Sequence, residues 1–158
     1  MALSNQNNSA ETVYADLCAI LEKKGWKYHR HDDDLSVTFG IIGDDLPMDF
    51  VLVIDEGRQL LRVFSKLPLT VPEEKRMDMA IATCAATFRL ADGSFDYDLA
   101  EGRVVYRLTA SFRQSRIGEG LFQYLIRCSA SIVDAYNDRF FALCKGIITL
   151  DDFLAQEK

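Results

Sequence analysis

Two histidines stand one residue apart in His29-Arg30-His31-Asp32-Asp33-Asp34, and three aspartates follow them directly. On an extended chain alternate side chains share a face, so His29 and His31 point the same way. Two imidazoles with a carboxylate such as Asp33 offer the nitrogen and oxygen donors that zinc or a similar cation takes. His29, His31 and Asp33 are therefore the candidate metal ligands. The segment joins a helix to a strand, no other His or Cys lies near it, and it holds both histidines of the chain. Aspartate-rich connectors are ordinarily solvated turns, and that reading is favoured. No cofactor is expected.

Nucleophilic chemistry has less support. A Ser or Cys nucleophile needs a positioned base, and both histidines sit in that one segment. The chain has no G-x-S-x-G elbow and no Walker loop. Arg116-Ile117-Gly118-Glu119-Gly120 is a weak echo of a phosphate loop; it lacks the spacing from a strand, and Glu119 would repel phosphate. Asp44-Asp45 and Asp151-Asp152 are adjacent pairs whose carboxylates point apart, which suits a turn and a helix cap. Arg103, Arg107, Arg113 and Arg116 make a local basic patch that could meet an acidic partner. Cross-strand pairing with Asp96 and Asp98 is the favoured alternative. These residues imply a protein without a catalytic site.

The elements that carry these residues are legible in turn. Residues 1–9 read as a flexible tail, with Ser9 as N-cap and Glu11 in the first turn of a helix that Gly25 stops. Leu35, Val37 and Phe39 alternate with polar residues as a strand. Asp44, Asp45 and Pro47 turn the chain into a second strand, Met48 to Ile54. Asp55-Glu56-Gly57-Arg58 is a hairpin connection with Gly57 free to take positive φ. A third strand runs from Leu60 to Leu67. Pro72 suits the first position of a helix reaching Leu90, with Glu73 and Glu74 in its first turn. Phe95, Tyr97 and Leu99 form a fourth strand, and Val104, Tyr106 and Leu108 a fifth. Ser115 to Phe141 is a long helix with Leu121, Leu125, Cys128, Ile132 and Tyr136 on one stripe. Thr149 caps a last short helix.

The order is α-βββ-α-ββ-α-α, which is an α+β pattern: a single antiparallel five-stranded sheet with helices packed on one face. The chain has 158 residues, 49% hydrophobic and 27% charged, which fits one globular domain over residues 10–158. Its net charge of −6 argues against a nucleic-acid partner. No apolar run approaches the ~20 residues of a membrane span, and the start of the chain lacks a signal-peptide pattern, so a cytoplasmic location is expected. Cys18, Cys84, Cys128 and Cys144 lie in apolar, helix-like stretches and form no C-x-x-C pair. They are expected to be reduced and mostly buried.

Leu67-Pro68-Leu69-Thr70-Val71-Pro72-Glu73-Glu74-Lys75-Arg76 resembles the entry to the middle helix in the YbjN family of bacterial proteins, described as sensory-transduction regulators. Gly93-Ser94-Phe95-Asp96-Tyr97-Asp98-Leu99-Ala100-Glu101-Gly102-Arg103-Val104-Val105-Tyr106-Arg107 resembles that family's following hairpin. The element order is similar from about Ala10 to Lys145. The resemblance implies a fold like that of type III secretion chaperones, small acidic homodimers that bind unfolded segments of other proteins. It implies no catalytic residues.

Two functional expectations result. The first is a non-enzymatic protein-binding module, chaperone-like or regulatory, acting as a homodimer on an unidentified protein partner. The second is a small-ligand or metal-responsive sensor using His29, His31 and Asp32 to Asp34. For the homodimer, the middle helix has two apolar sides. Met77, Ile81, Cys84 and Phe88 suit the sheet. Met79, Ala82, Thr83, Ala86 and Leu90 are then the expected dimer contact, because small residues let a second helix approach closely. Coverage of that side by the chain's own long helix is the competing expectation.

Overall fold

The computed structural model describes residues 9–158. The tail expected over residues 1–9 therefore falls, except for Ser9, outside the described residues. Four helices and six strands follow in the order α1 (Ala10–Lys23), β1 (His29–His31), β2 (Ser36–Ile42), β3 (Pro47–Asp55), β4 (Leu60–Lys66), α2 (Arg76–Arg89), β5 (Ser94–Asp98), β6 (Arg103–Ser111), α3 (Glu119–Cys144) and α4 (Leu150–Ala155). The sheet is wholly antiparallel with strand order β1-β2-β3-β4-β6-β5. It has six strands where five are expected. The extra one is β1, whose three residues are all exposed and so lack the alternation that marks a half-buried strand.

Local signals place most boundaries. The Ser9 hydroxyl accepts from the Thr12 amide at 3.2 Å, and Gly25 ends the first helical segment at φ +71°. The α2 helix starts later than Pro72 suggests, because Glu73–Lys75 first form a 3-10 turn. In the β3–β4 connection Gln59, not Gly57, takes the positive φ, at 55°. There Asp55 Oδ1 accepts from the Arg58 amide at 3.0 Å and fixes the turn.

Core packing corrects two stripes. On α2 the faces are opposite to expectation: Met79, Ala82, Thr83 and Ala86 are buried, while Met77, Ile81, Cys84 and Phe88 are exposed. Ala82 and Ala86 have no exposed surface within a single chain, and Leu90 is half-buried, so this face cannot meet a second copy. The physical reason is close approach: small side chains allow α2 to lie against β5. The Thr83 hydroxyl donates back to the Met79 carbonyl at 3.0 Å, which lets a polar residue sit on the buried side.

On α3 the buried line is Phe122, Ile126, Ser129, Val133, Asn137 and Phe140. It runs beside the expected stripe, of which Leu125 is buried, Leu121 exposed and Cys128, Ile132 and Tyr136 half-buried. Polar Ser129 and Asn137 inside the buried line disguise it.

The helices cover one face of the sheet, over Val37, Phe50, Leu52, Leu61, Val63, Val104 and Tyr106. At one end Phe95, Tyr136, Phe140 and Phe153 form an aromatic cluster with centroid separations of 4.9–5.9 Å. Phe153 brings α4 into the core, and a capping box between Thr149 and Asp152 starts that helix. On the opposite face one row of paired residues crosses all six strands: His29, Thr38, Val51, Phe64, Arg107 and Ser94.

Candidate interaction surfaces

The outward side of α2 carries three exposed large hydrophobic residues, Met77, Ile81 and Phe88. Phe88 is 86% exposed and Met77 64%, with Ile81 and Cys84 between them. Two of the four cysteines, Cys18 and Cys144, are buried; Cys128 is half-buried and Cys84 is exposed. An open apolar groove of about 610 Å³ runs along this side, floored by Ile81, Cys84 and Ala85 and walled by Phe88 and by Leu154 of α4. Its rim carries Arg89 and Lys158. Glu157 also borders it, but its carboxylate is held by Arg139 and by the Tyr136 hydroxyl, the latter at 2.9 Å.

The two edges of the sheet differ. At β5 the backbone of Phe95 is engaged from outside: its amide donates to the Thr87 hydroxyl of α2 at 2.9 Å. That contact blocks the start of the edge against a further strand. At the other edge β1 pairs only with Ser36 to Thr38 of β2. Phe39 to Ile42 pair with β3 on one side, and among the described residues no backbone group pairs with them on the other. The stretch carries no charge and no proline, and Ile42 is 94% exposed. Gly40 leaves a shallow depression beside it, lined by His29, Thr38, Phe39, Val51 and Asp49, the residue paired with Gly40. Trp26 stands edge-on to Phe39, with ring centroids 5.1 Å apart, at the inner side of the same edge.

The histidine–aspartate segment is organised differently from a metal site. His31 Nε2 lies 3.1 Å from the Thr38 hydroxyl. Asp32 accepts from the Tyr14 hydroxyl at 2.9 Å and from Arg30 Nε at 3.1 Å, and these hydrogen bonds hold its carboxyl below the ordinary range. Burial and the same hydrogen bond push the Tyr14 phenol up to about 12. Among the described residues no group of three or more His, Cys, Asp or Glu is gathered as a cation would need. His29, His31 and Asp33 are thus not brought together as a ligand set.

Three of the four arginines of the basic patch, Arg103, Arg107 and Arg116, are paired with carboxylates. Arg107 Nε meets Asp96 at 2.6 Å, Arg103 meets Asp98 at 3.0 Å and Arg116 meets Asp16 at 3.0 Å. Backbone amides of the β5–β6 turn and the Arg103 guanidinium hold the Asp98 carboxyl below its usual value. Among the described residues no helix is long and apolar enough to cross a membrane.

Comparison with known proteins gives three findings. No curated protein matches the chain. Among solved structures, the ExsC–ExsE complex contains a chain similar at a TM-score of 0.54 and 13% identity, over 82% of this chain and 93% of that one. The HopA1–SchA chaperone–effector complex gives a TM-score of 0.47 at 12% identity, over 91% of this chain and 97% of that one. The ExsC–ExsE likeness shows a shared fold, the one that the resemblance of Leu67 to Arg76 and Gly93 to Arg107 implies. The model of the YbjN family, "Putative bacterial sensory transduction regulator", matches residues 14–142, and the chain belongs to that family.

Proposed function

We propose that this protein is a non-enzymatic protein-binding module, chaperone-like or regulatory, that works as a homodimer and takes an extended segment of another protein at the free edge of β2. The observation that carries this reading is the unpaired edge from Phe39 to Ile42. Exposed strand edges are ordinarily shortened, charged or covered, because they template pairing with another chain. Here β5 has its Thr87 contact, while the end of β2 is left uncharged and apolar. A strand added there gains main-chain hydrogen bonds, and its alternate side chains reach Ile42 and the Gly40 depression on one face and Ile41 and Trp26 on the other. The shared fold with a chain of the ExsC–ExsE complex supports a protein partner. The outward stripe of α2 supports self-association. Acidic composition and the lack of a gathered set of titratable groups among the described residues fit a binding role in the cytoplasm.

The test is an array of 15-residue peptides probed with wild type and with Ile42→Lys. The reading expects bound peptides to share alternating apolar residues and to be lost with Ile42→Lys, a change at an exposed position that leaves folding intact. Binding that ignores sequence pattern, or that survives Ile42→Lys unchanged, would refute it.

A further inference from the structure

We propose that the cleft between α1 and α3 beside Trp26 binds a small aromatic carboxylate. The ring lies among Ile20, Leu21, Trp26 and Ile126, and the carboxylate meets Arg127 and Lys24. The site stands apart from the β2 edge and holds whether or not that edge takes a partner.

The end of α1 builds the cleft. At φ +71° Gly25 takes a conformation that glycine adopts without strain. Its amide donates to the Glu22 carbonyl at 3.0 Å, and the Trp26 amide donates to the Leu21 carbonyl at 3.0 Å. This pair of hydrogen bonds folds the chain back over a helix end and sets the residue after the glycine against the last turn. Trp26 and Leu21 accordingly line one cleft, with Ile20 of α1 and Ile126 of α3. Leu21 and Ile126 are buried, and Ile20 and Trp26 are half-buried. The cleft measures about 50 Å³, room for roughly three to five waters or for one ring in their place. Aromatic pairs gain beyond their buried area, so Trp26 favours a ring over an alkyl chain.

Charge at the rim selects an acid. Lys24, Gln123 and Arg127 complete the lining. Glu119, at the start of α3, is already shared: Lys23 reaches it at 3.0 Å, Lys24 at 3.1 Å, and the Gln123 side-chain amide donates to it at 2.9 Å. On α1, Glu22 accepts from the Tyr28 hydroxyl at 2.8 Å. Arg127 is exposed and, among the described residues, makes no ion pair and no side-chain hydrogen bond. Two lysines thus share one carboxylate and Arg127 has none, on a chain whose net charge is −6. A guanidinium presents parallel donors that fit a carboxylate with two hydrogen bonds. An apolar cleft with a few polar groups placed at its rim is the ordinary form of a small-ligand site.

The experiment is titration of the full chain with phenylacetate, followed by the emission of Trp26, the single tryptophan. Benzyl alcohol keeps the ring without the charge, and acetate keeps the charge without the ring. Phenylacetate should change the emission saturably, and the other two should bind at least about tenfold more weakly. Arg127→Gln, at an exposed position, should leave the emission and melting temperature of the free protein unchanged. It should weaken phenylacetate at least about tenfold and leave benzyl alcohol as it was. Arg127→Lys should recover part of the loss. Ile42→Lys should bind phenylacetate as wild type does, so that this site and the β2 edge fail separately. Phenylacetate seen bound by saturation-transfer NMR with no change in Trp26 emission would place the acid elsewhere and overturn the assignment. So would equal affinity for the three probes, binding that Arg127→Gln does not weaken, binding lost with Ile42→Lys, or no saturable binding at all.

Discussion

Arg139, on α3, forms an ion pair with Glu157, just past the end of α4, and the two ends of this contact are nearly buried, at 19% and 7% side-chain exposure. The guanidinium also lies over the rings of Tyr136 and Phe153, 4.8 and 4.6 Å from their centroids. A contact between distant elements thus fixes the wall of the α2–α4 groove. Glu157→Ala leaves the Arg139 charge without its carboxylate, and the expected loss is about 2 kcal/mol in urea unfolding. A shift in midpoint with an unchanged slope checks it; no shift would mean that stacking alone holds α4.

The buried side of α2 makes a sharper prediction. Ala86 has no exposed surface, so Ala86→Arg forces a charge into the contact between α2 and its own chain. The expected cost is at least about 4 kcal/mol, against a typical total of ~5–15 kcal/mol. Far-UV circular dichroism should show a lost or much lowered unfolding transition. A folded Ala86→Arg variant of normal stability would contradict the orientation of α2.

Thr87 is a second test of that orientation, because its hydroxyl is the outer partner of the Phe95 amide. Thr87→Val keeps the shape and strands the amide. The expected loss is about 1–3 kcal/mol, with faster hydrogen exchange at Phe95 than elsewhere in β5.

Acid should weaken the β5–β6 hairpin. For Asp98 the amide of Glu101 and the Arg103 side chain hold the carboxyl low. For Asp96 burial opposes this, and hydrogen bonds from Arg107 and Ser94 outweigh it. A carboxyl whose folded pKa lies below its unfolded value contributes stability above about pH 4, and that contribution is lost as pH falls through the folded value. Asp96→Asn with Asp98→Asn should lower stability at pH 7 and flatten its fall below about pH 4. An acid limb as steep as that of wild type would show that other carboxylates govern it.

Much of the fold was legible because single side chains dictate it: Ser9 and Thr149 as caps, Gly25 as a stop, and Asp96 and Asp98 as cross-strand partners of Arg107 and Arg103. The rest depended on tertiary context. The β1 strand is polar on every side, so only its pairing with β2 reveals it. Both sides of α2 are apolar, and size decided which went inward, since alanines allow a closer approach than Phe88 or Met77. The free edge of β2 has no sequence signature, because it is defined by where β1 stops. The metal reading of His29 and His31 fails at a similar point: spacing aligns two imidazoles, but a third ligand must come from the fold. Equimolar zinc is accordingly expected to leave the melting temperature unchanged, whereas a metal-responsive site would raise it.

The most direct measurement is amide hydrogen exchange at Gly40, Ile41 and Ile42, with and without a saturating peptide selected from the array. Strand addition predicts fast exchange of the outward-facing amides in the free protein and at least tenfold slower exchange in the complex, with β5 unchanged. Peptide binding that leaves these amides exchanging as before would contradict β2 edge recognition.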